Sequence, residues 1–330
     1  MGKFIGFNRK GKTGGWLATA ILLLLAEFCL SLFIGKYPIK LADLQAGDVQ
    51  AWNVFFTLRL PRTCMAAAGG FGLGAAGEVY QMVFRNPLAA PDVVGVSSGA
   101  SAGAAAAILF LSAAPGMVAA GAFVGGLLAV LLALGLSALA SGRGHASIAL
   151  AGVAVHALAQ TVLMVLKLTA DPEKELASIE YWIMGSLNAV TLSKILIPLL
   201  LCGVGLAVLF LLYRQILLLS VEEEEARLLG VSVGRMRLLI LFCATLAVTA
   251  VVSVTGLISF IGLLAPHTAR LLCRESGLPA LWLSGLLGGV LLSGADMLAR
   301  SIASAELPVS IFTSLLGAPF LIYLMMRKEG

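Results

Sequence analysis

Five polar side chains lie within or at the edges of strongly apolar runs: Glu78, His156, Gln160, Lys167 and Asp296. An ionisable group inside a bilayer costs on the order of 3 kcal/mol unless it faces protein or water, so each of these must turn inward. His156, Gln160, Leu163 and Lys167 recur at spacings of 4, 3 and 4 and therefore share one face of a helix. Such a stripe suits either a solute pathway or a set of hydrogen bonds between neighbouring helices. Asp296 and Arg300 are four apart and are spaced to pair on one helix face. Glu78 has no partner evident in sequence; it reads as a proton relay or as a hydrogen-bonded, protonated acid at a helix crossing.

Two glycine patterns tempt and fail. Gly6 to Thr13 (GFNRKGKT) matches the phosphate-binding pattern G-x-x-x-x-G-K-[ST], which works only where a buried strand precedes the loop and a packed helix follows it. Here only five residues precede Gly6, and an apolar run follows. Gly72 to Gly77 (GLGAAG) fits a dinucleotide fingerprint but sits inside an apolar segment without a strand. Its glycines are better read as contact points that let helix backbones approach, as Gly70 and Gly74 also would. There is no paired nucleophile and base, and the three histidines are far apart in sequence, so no catalytic or metal site is predicted. The five cysteines show no C-x-x-C spacing, which argues against a disulfide framework or a zinc site.

The elements that must position these residues follow from composition. Of 330 residues, 60% are hydrophobic and only 12% charged, with a mean hydropathy of +1.01. An ordinary soluble domain is near 45 to 50% and 25%, so this is a polytopic membrane protein. The net charge of +5 is scattered between apolar segments and offers no nucleic-acid surface. A first span is expected from Trp16 to Gly35, uncleaved, and further spans near residues 54–83, 93–111, 116–140, 147–168, 191–213, 237–255, 259–272, 279–299 and 307–326. The pieces 93–111 and 259–272 are short and rich in Gly, Ser or Pro, as partial or bent helices are. With both termini cytoplasmic, fourteen basic residues fall inside and eight outside, the asymmetry that the positive-inside rule requires. Arg59, Arg62 and Arg300 oppose it on the outer side and need a separate reason.

Two hydrophilic connections stand out. The outer one, 171–187, opens with Asp171 as cap and Pro172 at the first helical position and closes with Tyr181 and Trp182, predicting a short interfacial helix. The inner one, 221–237 (VEEEEARLLGVSVGRMR), carries acids at its start and bases at its end, the order that a helix dipole favours.

The runs LRLPRTCMAAAGGFGLGAAGEVYQMVFRNPLAAPDVVGVSSGA (58–100) and TGLISFIGLLAPHTAR (255–270), with YWIMGSL, ARLLGV, GADMLAR and ELPVSIFTSLLGAPFLIYLM in order, resemble the FecCD family of ABC-importer membrane subunits. The resemblance spans about Leu58 to Met326. It implies an all-α permease domain over 1–330 of the type II importer fold, with ten spans and a homodimer around a central pathway. It also implies two cytoplasmic ATPase subunits that bind ATP and Mg, an extracytoplasmic solute-binding protein, a lipid-embedded chain in the bacterial inner membrane and a metal-chelate substrate: ferric siderophore, haem or cobalamin. The chain itself would be no enzyme and hold no cofactor.

Carried onto this sequence, the resemblance implies that Arg59, Arg62 and Arg300 receive acidic residues of the binding protein. Guanidinium forks suit that task, although arginines at span ends also serve as headgroup anchors. It makes Asn86, Pro87 and Leu88 the cytoplasmic gate, facing His145 and Ala146 where hydroxyl residues are expected. It makes Glu222, Glu225, Ala226, Leu228, Leu229 and Gly230 the ATPase-coupling segment, with Gly230 as the turn and the two leucines as apolar anchors. Glu78, His156 and Gln160 stand as pathway candidates on their placement in the apolar spans and not on the resemblance: Glu78 and Tyr80 depart from the small or aliphatic residues it leads one to expect, and His156 is not a general family feature. His267 is read as structural. The competing expectation is a proton-coupled secondary transporter working through Glu78, His156 and Lys167; it would not need the coupling segment.

Overall fold

A computed structural model describes residues 10–35, 37, 39–139, 145–221, 223–230, 232–273, 277–302 and 305–326. All regular structure among them is helical. The chain opens with α1 (Lys10–Phe33), α2 (Leu41–Gln45) and α3 (Val49–Asn53), then a π-turn from Val54–Arg59 that runs directly into α4 (Leu60–Val83). A 3-10 turn at Pro91–Val94 leads to α5 (Val96–Phe110), followed by α6 (Pro115–Leu139) and α7 (His145–Thr169). A second π-turn, Pro172–Leu176, precedes α8 (Ala177–Met184) and α9 (Leu192–Leu211). The second half holds α10 (Tyr213–Leu219), α11 (Glu223–Leu228), α12 (Val233–Thr255), α13 (Ile261–Cys273), α14 (Leu278–Ser301) and α15 (Val309–Met326).

Six of these, α1, α6, α7, α9, α12 and α14, are long and apolar enough to cross a bilayer among the described residues. The 15-residue α5 and 13-residue α13 are shorter than the roughly 20 residues a full crossing needs. Gly and Ser in the first and Pro266 in the second mark them in sequence. The expected span at 54–83 is divided: the Leu60 N–H reaches back five residues to the Phe55 carbonyl, so its first turn is wide.

Most of α12 is buried and it forms the centre, packing on α4, α6 and α9, whereas α1 is peripheral and lies along α14. The crossing of α4 on α14 is very close. A Cβ at Gly70 would lie 2.4 Å from the Gly288 carbonyl oxygen, and one at Gly74 would lie 2.2 Å from that of Ser284. Backbones this close admit only glycine, which accounts for the GLGAAG run without any nucleotide. Of the phosphate-loop pattern, Lys10 through Thr13 are wound into α1, while Gly6 to Arg9 lie outside the described residues.

Candidate functional site

The three arginines expected on the outer side, Arg59, Arg62 and Arg300, converge from distant parts of the chain. Arg59 ends the π-turn and Arg62 follows one helical turn later, while Arg300 lies in the last turn of α14. The Arg62 Nε donates to Asp296 Oδ1 at 2.9 Å, and its Nη1 donates to Glu306 Oε2 at 2.8 Å. Arg300 Nη2 donates to the Ser31 carbonyl at 2.9 Å, and Arg300 Nε lies 3.5 Å from Asp296 Oδ2. Arg59 Nη1 donates to the Leu32 carbonyl at 3.0 Å and its Nη2 to that of Tyr37, closing the carbonyl end of α1. The spacing of Asp296 and Arg300 therefore gives a real contact, but the closer partner of Asp296 is Arg62.

All three guanidinium residues are buried, at 4 to 8% exposure, so they are not free rim charges. Burial is tolerable because each positive group finds carboxylate or carbonyl oxygen. Three arginines against Asp296 and Glu306 leave one positive charge in excess. Arg59, Arg62, Arg300, Glu306, Tyr37 and Asn188 line a small cavity of about 190 Å³, through which the cluster meets the outside. Paired in this way, the three arginines serve the packing of their own chain. They bind α1, α4, α14 and the connection to α15 together.

A second buried cluster lies towards the opposite ends of the helices. Glu78 on α4 is fully buried; its Oε2 accepts from Arg270 Nη1 of α13 at 2.9 Å and lies 3.4 Å from Ser284 Oγ of α14. Glu78 thus has a partner, 192 residues away. The pathway candidate Glu78 is a buried carboxylate held by an arginine, and it ties three helices together. Tyr80, the other departure from expectation, hydrogen-bonds Thr245 of α12 at 2.6 Å. His267 packs edge-on against Phe320 of α15.

The polar stripe of α7 divides. His156 is exposed and Gln160 half-buried, while Leu163 points into the core at 4% exposure. Lys167 pairs with Glu180 of α8 at 2.8 Å. His156 and Gln160 are therefore open to an occupant or a partner face, and Lys167 is an interhelical tie.

At the turn after α4, Asn86, Pro87 and Leu88 are all exposed, with Leu88 at 56%. The Asn86 side chain accepts from the Leu88 N–H at 2.9 Å, and Arg85 adopts a left-handed φ of 49°, so the turn is held by local bonds. The residues expected to face this turn, His145 and Ala146, begin α7, and their side chains lie outside the described residues.

On the same side, α10 leads to the short α11. Ala226 is buried and Glu225 exposed, whereas Leu228 and Leu229 are 88% and 65% exposed. Gly230 follows with φ of 81°, a left-handed turn that glycine adopts without cost. Arg237 of α12 donates to Glu223, bracing α11 against the next helix. Glu222 lies outside the described residues. Leu228 ends this acid-rich helix and Leu229 follows it, so the two form an adjacent pair of bare apolar side chains at its turn.

Sequence reasoning did not find Glu306, Ser31 or the role of Arg270. Arg270 stands in the APHTAR run, but nothing in one dimension connects it to Glu78; Glu306 and Ser31 carry no local signal at all.

Comparison with known proteins gives one answer. The profile of the FecCD transport family matches residues 22–327. The cobalamin import system permease protein BtuC of Halobacterium salinarum is 40% identical over 292 residues, covering 87% of this chain and 78% of that one. The molybdate import system permease protein MolB of Haemophilus influenzae is 33% identical over 324 residues, covering 93% and 94%. A solved inward-facing structure of an ABC transporter assigned to the metal-chelate type superposes with a TM-score of 0.84 at 33% identity, covering 95% of this chain and 99% of that one.

Proposed function

Because the chain belongs to the FecCD transport family, we propose that it carries a metal chelate or a similarly bulky metal-containing solute inward across the cytoplasmic membrane, driven by ATP hydrolysis on a separate subunit. The observation that carries this reading is the exposed Leu228–Leu229 pair before Gly230, with acids on its helix and Arg237 bracing it. A passive channel or a proton carrier has no use for an apolar lever on that side.

In this reading α1, α4, α5, α6, α7, α9, α12, α13, α14 and α15 make ten passages, short α5 and α13 included, with both termini cytoplasmic. Two copies form a homodimer around the pathway, towards which α7 turns His156 and Gln160. The turn at Asn86, Pro87 and Leu88, with His145 and Ala146, forms the inner gate. Acidic side chains of an external solute-binding protein enter the outer cavity lined by Arg59, Arg62 and Arg300 and compete with Glu306 for Arg62; one excess positive charge and a partly open cavity support that docking. The ATPase subunit takes Glu225, Leu228, Leu229 and Gly230 into its groove; Ala226, expected in the same contact, is buried against its own chain at 1% exposure and serves to seat the helix instead.

The substrate is a ferric siderophore, haem or cobalamin; that similar chains are named for cobalamin and for molybdate shows how little of the choice lies in the shared fold. Proton coupling through Glu78, His156 and Lys167 finds less support, since Glu78 and Lys167 are each held in an ion pair. The test is uptake of ferric siderophore, haemin or cobalamin into proteoliposomes holding this chain, its ATPase and its binding protein. Uptake should require ATP hydrolysis. Uptake without the ATPase, or uptake abolished by dissipating a proton gradient alone, overturns the proposal.

A further inference from the structure

A cavity of about 1060 Å³, separate from the arginine pocket, is a cleft at the outer ends of α6 and α9, with α12 at its back and α8 across its side. That volume is at the upper limit of the ~300–1,000 Å³ typical of small-molecule clefts. Its walls are apolar: Phe123 of α6, Ile197, Pro198 and Leu201 of α9, Val254 of α12 and Trp182 of α8. Both α6 and α9 are apolar enough to span a bilayer, and both rest on α12. Ile197 lines the cleft and is yet 69% exposed, beside the equally bare Leu196 and Leu200, so the cleft opens sideways on the flank that α9 turns to hydrocarbon.

The mouth is different in chemistry. Lys174 and Lys194 line it together with Ser178 and Ser193, against one acid, Glu173. Lys174 forms no ion pair among the described residues, and Lys194 donates only to the Ala189 carbonyl at 3.0 Å. Tyr181 and Trp182, also at this cavity, are side chains that favour the headgroup level of a membrane. An apolar cleft open to hydrocarbon, surmounted by two lysines and two hydroxyls, is complementary to a lipid with an anionic head.

We propose that this cleft binds an anionic phospholipid of the outer leaflet, its acyl chain between α6 and α9 and its phosphate at Lys174 and Lys194. The site asks that α6 and α9 cross a bilayer and, for the choice of leaflet, rests on the proposed orientation with cytoplasmic termini; it does not depend on what the protein transports. Its occupant would hold α8 against the ends of α6 and α9.

Native mass spectrometry of the full chain, stripped of lipid and titrated with dioleoyl phosphatidylglycerol or dioleoyl phosphatidylcholine, tests this. Wild type should retain the phosphatidylglycerol preferentially. The Lys174→Ala/Lys194→Ala variant should lose roughly tenfold or more of that preference, the effect expected of basic residues at a membrane surface. Ala119→Trp, which fills the cleft, should lose retained lipid of both kinds; Ile197→Trp, at an exposed position, does the same work if the first variant does not fold. Unchanged preference in the lysine variant, unchanged retention in a folded tryptophan variant, or displacement of the lipid by millimolar inorganic phosphate overturns the proposal.

Discussion

Arg62 grips Asp296 through two nitrogens on one oxygen, Nε at 2.9 Å and Nη2 at 2.8 Å from Oδ1, and leaves Oδ2 to Arg300. One carboxylate with no solvent exposure thus holds two guanidinium groups, one of them on another helix. Removing one member of a buried ion pair strands the other, at about 3 to 5 kcal/mol. Asp296→Asn should therefore lower the thermal stability of the purified chain sharply. Charge reversal at Arg62 should do the same, so that variant cannot report on docking alone. A melting temperature unchanged by Asp296→Asn would show that the cluster is not structural.

Glu306 is the accessible member of this cluster, its side chain 23% exposed. If the small outer cavity takes carboxylates of a binding protein, Glu306→Gln removes the internal competitor for Arg62. Docking affinity, measured by surface plasmon resonance on the reconstituted complex, should rise, and should rise less at high salt because screening weakens the attraction. Weaker docking in Glu306→Gln counts against this use of the pocket.

Glu78 and Arg270 join α4 to α13 and should behave as a unit. In a double-mutant cycle with Glu78→Gln and Arg270→Gln, followed by thermal denaturation in detergent, we expect a coupling of about 1 to 3 kcal/mol. The single variants should be costly and the pair less so than their sum. Strict additivity would mean that the contact contributes nothing.

The glycines of α4 give a steric prediction. A methyl at Gly74 meets the Ser284 carbonyl oxygen at 2.2 Å, and one at Gly77 meets that of Gly262 at 1.9 Å. Neither oxygen can yield without moving a helix, so Gly74→Ala and Gly77→Ala should each cost at least the ~1 to 3 kcal/mol of overpacking. Gly203 on α9 has open space around it, and Gly203→Ala should be neutral or gain up to about 1 kcal/mol from helix propensity. Equal behaviour of the three variants in a thermal melt would refute the close packing.

Leu228 and Leu229 contact little within their own chain. Leu228→Asp/Leu229→Asp should leave stability within about 0.5 kcal/mol of wild type, as surface changes do, while the ATPase no longer co-purifies. Intact co-purification would exclude the pair as anchor.

How far the sequence could be read depends on range. Apolar runs of bilayer length gave the helices, because in hydrocarbon a chain has almost no other way to satisfy its backbone groups. Asp171 could be read as a cap, since its bonds to the Glu173 and Lys174 N–H groups span two and three residues. The Asp296–Arg300 contact was legible for the same reason, one turn apart on one helix. The division of the 54–83 span by a π-turn was not, because the same apolar residues suit either winding.

The polar stripe of α7 shows the boundary. Its spacing is helical, as expected, yet Leu163 faces the core, His156 lies bare and Lys167 answers to Glu180 on another element. Periodicity says which residues share a face and says nothing of what the face meets.

By itself, then, the amino-acid order determined that this is a helical membrane protein, roughly where its helices begin and end, and, through its motifs, to which family it belongs. Only the tertiary structure decided which charges are spent inside the protein: Glu78 on Arg270, Asp296 on Arg62, Glu306 on the same guanidinium, across separations of 192, 234 and 244 residues. Helix formation and membrane insertion are settled by short stretches of chain, whereas the partner of a buried charge depends on which helices the whole packing brings within about 3 Å.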